Sequence, residues 1–151
     1  MSQDIEATIA YLMQPFQANI GGDIHGGEIM KLIDNAAGAV ALRYSGGRVV
    51  TARVDEVQFI YPIKVGMHVT FKAKLAYVGN SSMEITVAAY AEDLTKGDGS
   101  HKAVTAFVTM VAMNDDGSLK KLEPLVIKDD EMRALHEEME QRRAGRHRRR
   151  G

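Results

Sequence analysis

A single helical stretch precedes a long succession of strand-like segments, and this order of periodicities limits the folds that the chain can adopt. Between Gly26 and Tyr44 the apolar side chains recur every three or four residues, which places them on one face of an α-helix. Gly46 and Gly47 then end the helical pattern. From residue 48 to residue 113 the apolar side chains follow strand patterns instead. One helix followed by consecutive strands favours an α+β fold with an antiparallel sheet.

The strand pattern is clearest in two segments that alternate between apolar and polar side chains. Apolar residues occupy the odd positions over residues 67–77 and 83–91. Turn-forming residues 79–82 separate the two segments, so the pair predicts an antiparallel hairpin. Residues 48–61 and 102–113 are rich in β-branched side chains and predict two further strands, the second buried on both faces.

The two ends of the chain flank this unit. Residues 5–17 suit either a short helix or an edge strand, and Pro15 limits the length of both; we favour the strand. Residues 129–143 begin with acids and end with arginines, as the dipole of a C-terminal helix favours. We therefore divide the chain into a domain over residues 1–127, a C-terminal helix over residues 128–143 and a basic, disordered tail over residues 144–151.

Charge and composition exclude several classes of function. Residues 142–151 carry six of the 19 basic side chains and no acid, so residues 1–141 hold a formal charge of −7. An acidic body with a basic tip is a poor surface for duplex nucleic acid, and we expect no nucleic-acid partner. The sequence has no cysteine, no leader-like N-terminus and no apolar run of membrane-spanning length. We therefore expect a cytoplasmic protein with no membrane partner.

The start of the predicted helix, GGDIHGGEIMKLID (residues 21–34), holds the candidate reactive groups. Backbone N–H groups in a first helical turn have no intrahelical partner, and Gly26 and Gly27 have no side chains to block them. These groups are candidates for stabilising an oxyanion, although the glycines are also explained by a turn that merely starts a helix. Asp34 is predicted at the shoulder of the apolar face, where a carboxylate is either solvated or held in a cleft as a general base or nucleophile.

The separation of these groups has a consequence for assembly. Eight residues separate Gly26 from Asp34, which corresponds to about 12 Å along a helix. Attack on a carbonyl carbon needs the activated water and the oxyanion donors close together, so one chain can hardly supply both. Two antiparallel copies can supply both, and a two-fold dimer creates two equivalent sites. If this helix is catalytic, the protein is an oligomer.

Three segments of the sequence match a known family. They read GGDIHGGEIMKLIDNAAGAVA, RVVTARVDEVQFIYPIKVGMHVTFKAKLAYVGNSSMEITVAAYAED and KAVTAFVTMVAMNDDG, and the similarity covers residues 9–124. Together they resemble the hotdog-fold acyl-CoA thioesterases of the YciA and cytosolic acyl-CoA hydrolase group. The resemblance implies a long central helix wrapped by a curved antiparallel sheet, paired in a dimer and usually assembled as a homohexamer, a trimer of dimers. It also implies a hydrolase of lipid metabolism that converts acyl-CoA to a carboxylic acid and CoA without cofactor or metal.

The resemblance also implies roles for particular residues. Asp34 would be the carboxylate that activates water or attacks the thioester, and the N–H groups of Gly26 and Gly27 would polarise the carbonyl. Asp23 would orient water or substrate from the neighbouring subunit, whereas its position alone also suits a helix cap. His25 is assigned to local structure or substrate positioning, with proton transfer as the alternative. The histidines show no metal-ligand spacing, so we predict no metal site.

Further residues are implied in binding CoA, whose phosphates need cations or free N–H groups. The predicted substrate-binding residues are Val54 and Asp55 along the pantetheine arm, the turn Gly79, Asn80, Ser81 and Ser82, and the cations Arg48 and Arg53. Lys102, Arg142 and Arg143 are additional candidates for the phosphates. By pattern alone the turn is an ordinary hairpin and each cation a solvated surface charge. The alternative function is a non-catalytic acyl-CoA sensor, because a fold can persist after its chemistry is lost.

Overall fold

The computed structural model describes residues 5–150 as five strands and two α-helices. In chain order these are β1 (Glu6–Leu12), α1 (Gly26–Ser45), β2 (Val49–Phe59), β3 (His68–Val78), β4 (Ser82–Glu92), β5 (Ser100–Ala112) and α2 (Asp130–Arg150), with a 3₁₀ turn at Pro15–Gln17. The strands form one antiparallel sheet in the order β1-β3-β4-β5-β2. The predicted α+β class and antiparallel sheet are confirmed.

Helix α1 lies across one face of the sheet, here called the inner face, and contacts all five strands. Its apolar stripe is buried there and consists of Ile29, Leu32, Ile33, Ala36, Ala37, Val40 and Ala41. Full burial of a large aliphatic side chain contributes about 1.5–3 kcal/mol, so this stripe fixes the helix on the sheet. The helix begins at Gly26, as predicted. It ends before Gly46, whose φ of 73° favours glycine and whose N–H bonds to the Leu42 carbonyl.

The β3–β4 hairpin forms as predicted, with Val78 paired to Met83 next to the turn. Its alternating apolar side chains point towards α1 and are buried, among them Val69, Phe71, Ala73, Leu75, Met83, Ile85 and Val87. The prediction that β5 is buried on both faces is wrong. Ala106 and Val108 are buried on the inner face, whereas Phe107 between them is partly exposed on the outer face.

Helix α2 lies on the outer face and is longer than predicted. Asp129 caps it by accepting a 2.8 Å hydrogen bond from the Met132 N–H, and the side chains of Met132 and Met139 are buried. The predicted end at residue 143 is wrong, as is the disordered tail over residues 144–150, because α2 continues to Arg150. Residue 151, the last of that predicted tail, lies outside the described residues.

The extra length of α2 has a physical cause in the sheet. Arg146 donates hydrogen bonds to Glu84 at 2.5 Å and to Asp55 at 3.3 Å. These charge-assisted bonds hold the second-last turn of the helix against the outer face. The arginine-rich composition of the C-terminal segment does not predict these two bonds, because the acceptors of Arg146 lie 62 and 91 positions earlier in the chain.

Candidate active site

Asp34 lies about two turns into α1 and is partly exposed at the shoulder of the buried face, as predicted. Its Oδ1 accepts a hydrogen bond of 2.5 Å from the Thr51 hydroxyl, a distance typical of a bond to an ionised carboxylate. The same hydroxyl lies 3.3 Å from the sulfur of Met110. The bond orients the carboxylate, and no described residue donates a hydrogen bond to Oδ2.

A β-bulge in β2 directs Thr51 towards α1. Thr51 pairs with Met110, whose side chain is buried on the inner face. The next pair joins Arg53 to Thr109, so Ala52 is the extra residue of the bulge. The bulge therefore places Thr51 on the inner face and Arg53 on the outer face.

A tight loop precedes α1 and holds its first turn in place. The side-chain oxygen of Asn19 accepts hydrogen bonds from the N–H groups of Gly21 (2.9 Å) and Asp23 (3.3 Å). The Asn19 N–H donates to the Asp23 carbonyl at 2.8 Å, and the His25 N–H donates to the Gln17 carbonyl at 2.9 Å. These bonds fix the loop through its backbone and leave the exposed side-chain NH2 of Asn19 without an acceptor among the described residues.

Gly26 and Gly27 expose the first N–H groups of α1. The first hydrogen bond of the helix runs from the Ile29 N–H to the His25 carbonyl at 3.2 Å, so the preceding N–H groups have no intrahelical acceptor. A Cβ atom added to Gly27 would meet nothing within 4 Å, and one added to Gly26 would meet only the Phe59 ring at 3.7 Å. Both positions are exposed. An anionic oxygen can therefore approach this end of the helix.

Asp23 does not cap α1, so the helix-cap alternative is wrong. The residue at the N-cap position is His25, and its side chain makes no capping hydrogen bond. The Asp23 carboxylate instead forms a 2.8 Å ion pair with the Lys64 ammonium. An open pocket of about 330 Å³ borders this ion pair and is lined by Asp23, Ile24, Ile29 and residues 59–63.

The helix start and Asp34 do not meet within one chain. They are eight residues apart on α1, which is about 12 Å along the helix. Strand β2 is an edge strand of the sheet, and Phe59 at its end and Ile60 after it are 57% and 55% exposed. An unpaired strand edge with exposed apolar side chains is typical of a surface that binds another chain.

Val54 and Asp55 lie on opposite faces of β2. Val54 packs against the core beneath α1. Asp55 lies on the outer face, where its carboxylate is 3.3 Å from both Arg53 and Arg146 and 3.8 Å from Arg142. The structure therefore does not bring the predicted pair to one surface, and Arg53 already has a carboxylate partner.

The ion pairs of Arg142 and Arg146 join α2 to the outer face. Arg142 contacts Glu56 at 2.8 Å, and this hydrogen bond raises the pKa of Arg142. Arg146 contacts Glu84, whose side chain is only 2% exposed and which also accepts a 2.6 Å bond from Thr109. Sequence reasoning missed this network, since its partners lie far apart in the chain and an isolated arginine gives no sign of its acceptor.

The predicted CoA-binding turn borders a second open pocket, of about 710 Å³. Its lining consists of residues 77–80, residues 121–124 and Arg143. Ser82 instead closes the hairpin, because its carbonyl accepts a 2.8 Å bond from the Gly79 N–H. The Ser81 carbonyl accepts a 2.8 Å bond from the Ala112 N–H at the end of β5. Arg48 lies exposed immediately before β2 and lines neither this pocket nor the one beside Asp23.

The described part of the chain contains neither a metal-binding cluster nor a membrane-spanning helix. Among residues 5–146, whose side chains the structure describes, no group of three or more histidine, aspartate or glutamate side chains is arranged to hold a metal ion. No helix in that same part of the chain is long and apolar enough to cross a membrane.

The sequence profile of the thioesterase superfamily matches residues 21–97, which include α1, β2, β3 and all of β4. The chain belongs to this superfamily. Its architecture, one long helix wrapped by an antiparallel sheet, is the hotdog fold that the resemblance implied.

Among sequence relatives, the protein VdlD of Helicobacter pylori is 38% identical over 71% of this chain and 61% of that protein. The mouse cytosolic acyl coenzyme A thioester hydrolase is 31% identical over 88% of this chain.

The chain thus spans less than two thirds of the length of these two relatives, and only 35% of the length of the mouse protein. Solved structures match it over a greater share of their length. The acyl-CoA hydrolase of Staphylococcus aureus, solved with butyryl coenzyme A and coenzyme A, has a TM-score of 0.86 and 30% identity, covering 96% of this chain and 88% of that chain. Variants of that hydrolase have been solved in which an aspartate, a threonine or an asparagine is replaced by alanine.

Sequence reasoning missed Thr51 and Asn19. Val49 and Val54 both pack against the core, and strand alternation counted from each of them predicts opposite faces for Thr51. The bulge at Ala52 decides between the two faces, and it leaves no mark in the sequence. The Asn19 signal was available, since asparagine before two glycines is typical of a turn in which the side chain bonds the backbone two residues later.

Proposed function

We propose that this superfamily member hydrolyses acyl-CoA thioesters, with Asp34 as the group that activates water. The hydrogen bond between Asp34 and Thr51 carries the proposal, because it holds a partly exposed carboxylate in one orientation at the rim of the core. The spacing of residues supports it. Asn19, Asp34 and Thr51 are 15 and 17 positions apart, as are the asparagine, aspartate and threonine that were replaced in the S. aureus hydrolase.

The chemistry follows from the free oxygen of Asp34. Oδ1 is occupied by Thr51, so Oδ2 is the atom that accepts a proton from water as the water oxygen bonds to the thioester carbon. The carbonyl oxygen gains charge and is stabilised by the N–H groups of Gly26 and Gly27 in a second copy of the chain. The carbon–sulfur bond then breaks, and the proton passes to the departing CoA thiolate. The products are a carboxylic acid, which ionises, and CoA.

Asn19 is the second polar group that we assign to the reaction. Its oxygen holds the loop that precedes α1, and its exposed NH2 group can donate to water or to the thioester. Orientation of water by Asp23 stays a prediction, although the ion pair with Lys64 ties up one of its oxygens. Replacing Asn19 or Asp23 by alanine separates the two assignments. The variant that lacks the residue that orients the water should show the larger decrease in kcat.

We also propose that the chain forms dimers in which β2 of one copy lies beside β2 of the next, and that three dimers form a hexamer. The unpaired edge of β2 and the exposed Phe59 and Ile60 support the contact. Two similar solved structures, one of them from Yersinia pestis, are hexameric thioesterases, 27% and 32% identical to this chain.

A cytosolic relative supports a cytoplasmic location. CoA enters as part of the substrate, and we propose no cofactor.

The activity is tested by measuring thiol release from acyl-CoAs of several chain lengths. We expect turnover by the wild type and a loss of about 10²–10⁴-fold in kcat for Asp34→Ala, the range typical of removing a general base. Asn35→Ala is the matched control, since Asn35 is the exposed neighbour on the same helix. Equal rates for wild type and Asp34→Ala would remove Asp34 from the mechanism. Binding of CoA without turnover of any acyl-CoA would favour the acyl-CoA sensor instead.

A further inference from the structure

The pocket beside the start of α1, here called the helix-start pocket, has an apolar lining in which a single residue carries a charge. Its volume is about 330 Å³. Ile24, Ile29 and Ile63 contribute buried side chains, and the Phe59 ring stands exposed at its side. Asp23 is the only charged residue among the described residues that line it. A concave apolar surface with one polar group is typical of a site for a small molecule.

The helix-start pocket is adjacent to the N–H groups that would hold the thioester oxygen. Ile29 lies in the first turn of α1, which begins at Gly26 and Gly27. The Phe59 ring, which lines the pocket, lies 3.7 Å from the place where a Cβ atom of Gly26 would stand. A carbonyl oxygen bound at these N–H groups therefore has its carbon next to the pocket. Two other groups are bonded to that carbon, the acyl chain and the sulfur of CoA, and one of them can enter.

The backbone around the pocket favours the acyl chain. The Ile24 N–H donates to the Ile63 carbonyl at 2.8 Å. The N–H groups of Ile60 and Tyr61 both donate to the Ala103 carbonyl, at 2.7 and 3.2 Å. The pantetheine arm of CoA carries amide groups, which lose hydrogen bonds to water on burial and would find these donors occupied. A hydrocarbon chain needs no such partner.

The Tyr61 ring gives the pocket a fixed wall. It stacks on the imidazole ring of His101, with 4.5 Å between the ring centres and 13° between the planes. A wall that is in place before the substrate binds reduces the conformational entropy lost on binding.

The volume of the pocket limits the length of the chain. A methylene group is similar in size to a water molecule, whose share of liquid volume is about 30 Å³. A volume of about 330 Å³ therefore holds about ten carbon atoms.

The charge of the lining limits the chemistry of the chain. Asp23 pairs with Lys64 through Oδ1 at 2.8 Å, and no described residue donates a hydrogen bond to Oδ2. Lys64 is not among the lining residues, so a carboxylate at the end of an acyl chain would meet an acid and no free cation. Burial of an ionised group without a partner is costly. The pocket therefore suits an uncharged chain.

We propose that the helix-start pocket binds the acyl chain and that the substrates are acyl-CoAs with an uncharged chain of up to about ten carbons. The proposal rests on the function proposed above and adds the class of acyl group. The subunit that supplies the N–H groups also holds the acyl chain, and the second subunit supplies Asp34.

The first test measures kcat/KM for straight-chain substrates from acetyl-CoA to hexadecanoyl-CoA. We expect a rise of about fourfold for each added methylene, the equivalent of about 0.8 kcal/mol of burial. The rise should stop near ten carbons, where the pocket is full. Octanoyl-CoA that carries a terminal carboxylate should have a value about 10²-fold below that of octanoyl-CoA. A flat series, a rise that continues to hexadecanoyl-CoA, or equal values for the two octanoyl substrates would overturn the proposal.

A first pair of variants tests whether the chain lies in this pocket. Phe59→Ala removes an exposed wall and should lower kcat/KM for octanoyl-CoA about tenfold more than for acetyl-CoA. Leu94→Ala is the matched control, since Leu94 is equally exposed, at 57%, and does not line the pocket. It should change both values by the same factor. An equal loss on both substrates in a Phe59→Ala protein that still forms dimers would overturn the proposal.

A second pair of variants decides the question if Phe59→Ala disrupts the dimer. Ile24→Val enlarges the pocket by one methylene group, so the rise in kcat/KM should continue for about one more carbon. Ile85→Val makes the same change in the core outside the pocket and should leave the limit where it is. The same limit in both variants would contradict the proposal.

Alkyl-CoA thioethers separate failure of this proposal from failure of the proposed function. If the wild type hydrolyses no acyl-CoA, calorimetric titration with thioethers of the same chain lengths tests the pocket directly. An affinity that rises with chain length, and less steeply in Phe59→Ala, would support the pocket although the hydrolase function had failed. An affinity independent of chain length would overturn the pocket as well.

Discussion

The two faces of the sheet are covered by helices that are held in different ways. On the inner face α1 buries a continuous apolar stripe, and the Asp34–Thr51 pair stands at the edge of that stripe. On the outer face α2 buries Met132 and Met139 but is tied down by arginines that reach Asp55, Glu56 and Glu84. Apolar packing on the inner face leaves a carboxylate free for chemistry, whereas carboxylates on the outer face are used to hold the helix. We therefore expect inner-face substitutions at the site to change the rate and outer-face substitutions to change stability.

After Asp34→Ala, the largest effect is expected at the start of α1. Gly27→Pro removes one N–H donor at a position in the first helical turn where proline is tolerated. We expect kcat to fall by about 10²–10³-fold, the loss seen when one oxyanion donor is removed, with no large change in the unfolding midpoint. Gly27→Ala keeps the donor and its methyl group meets open space, so its loss of kcat should be much smaller. Similar losses in both variants would mean that this N–H does not contact the substrate.

On the outer face the largest effect is expected from Arg146→Ala. The change leaves Glu84, whose side chain is 2% exposed, without its cationic partner, and breaking a buried ion pair typically costs about 3 kcal/mol. Urea denaturation should show this loss, and kcat should stay near that of the wild type. Adding Glu84→Gln removes the unpaired charge and should restore part of the stability. A drop in kcat without a drop in stability would contradict the division between the two faces.

The smallest effect is expected from Thr51→Ala, which removes the hydrogen bond to Asp34 but leaves the carboxylate in place. The bond is worth about 1.5 kcal/mol, so kcat should fall about tenfold. Thr51→Ser keeps the hydroxyl and should retain most of the rate. If Thr51→Ala and Thr51→Val reduced stability rather than kcat, the hydroxyl would belong to the core and not to the site.

The contrast between apolar packing on the inner face and ion pairs on the outer face explains which features the sequence could predict. The extent of α1 and the β3–β4 hairpin follow from local periodicity and turn residues, because apolar packing repeats along the chain. The shoulder position of Asp34 follows from the helical angle alone. Thr51 could not be placed beside it, because the bulge at Ala52 decides which face each side chain of β2 points to. The continuation of α2 past residue 143 could not be predicted either, since it depends on acceptors in β2 and β4.

The central claim is that one copy of the chain supplies the N–H donors and another supplies Asp34. It is tested most directly by co-expressing Asp34→Ala and Gly27→Pro subunits with different affinity tags and purifying the mixed oligomers. Each variant alone should be almost inactive. In a mixed dimer one of the two sites combines an intact helix start with an intact Asp34, so purified mixed dimers should recover about half of the wild-type activity. Mixed hexamers in which the subunits pair at random should recover about a quarter. Mixed oligomers as inactive as the parent variants would show that both groups act within one chain and would contradict the account.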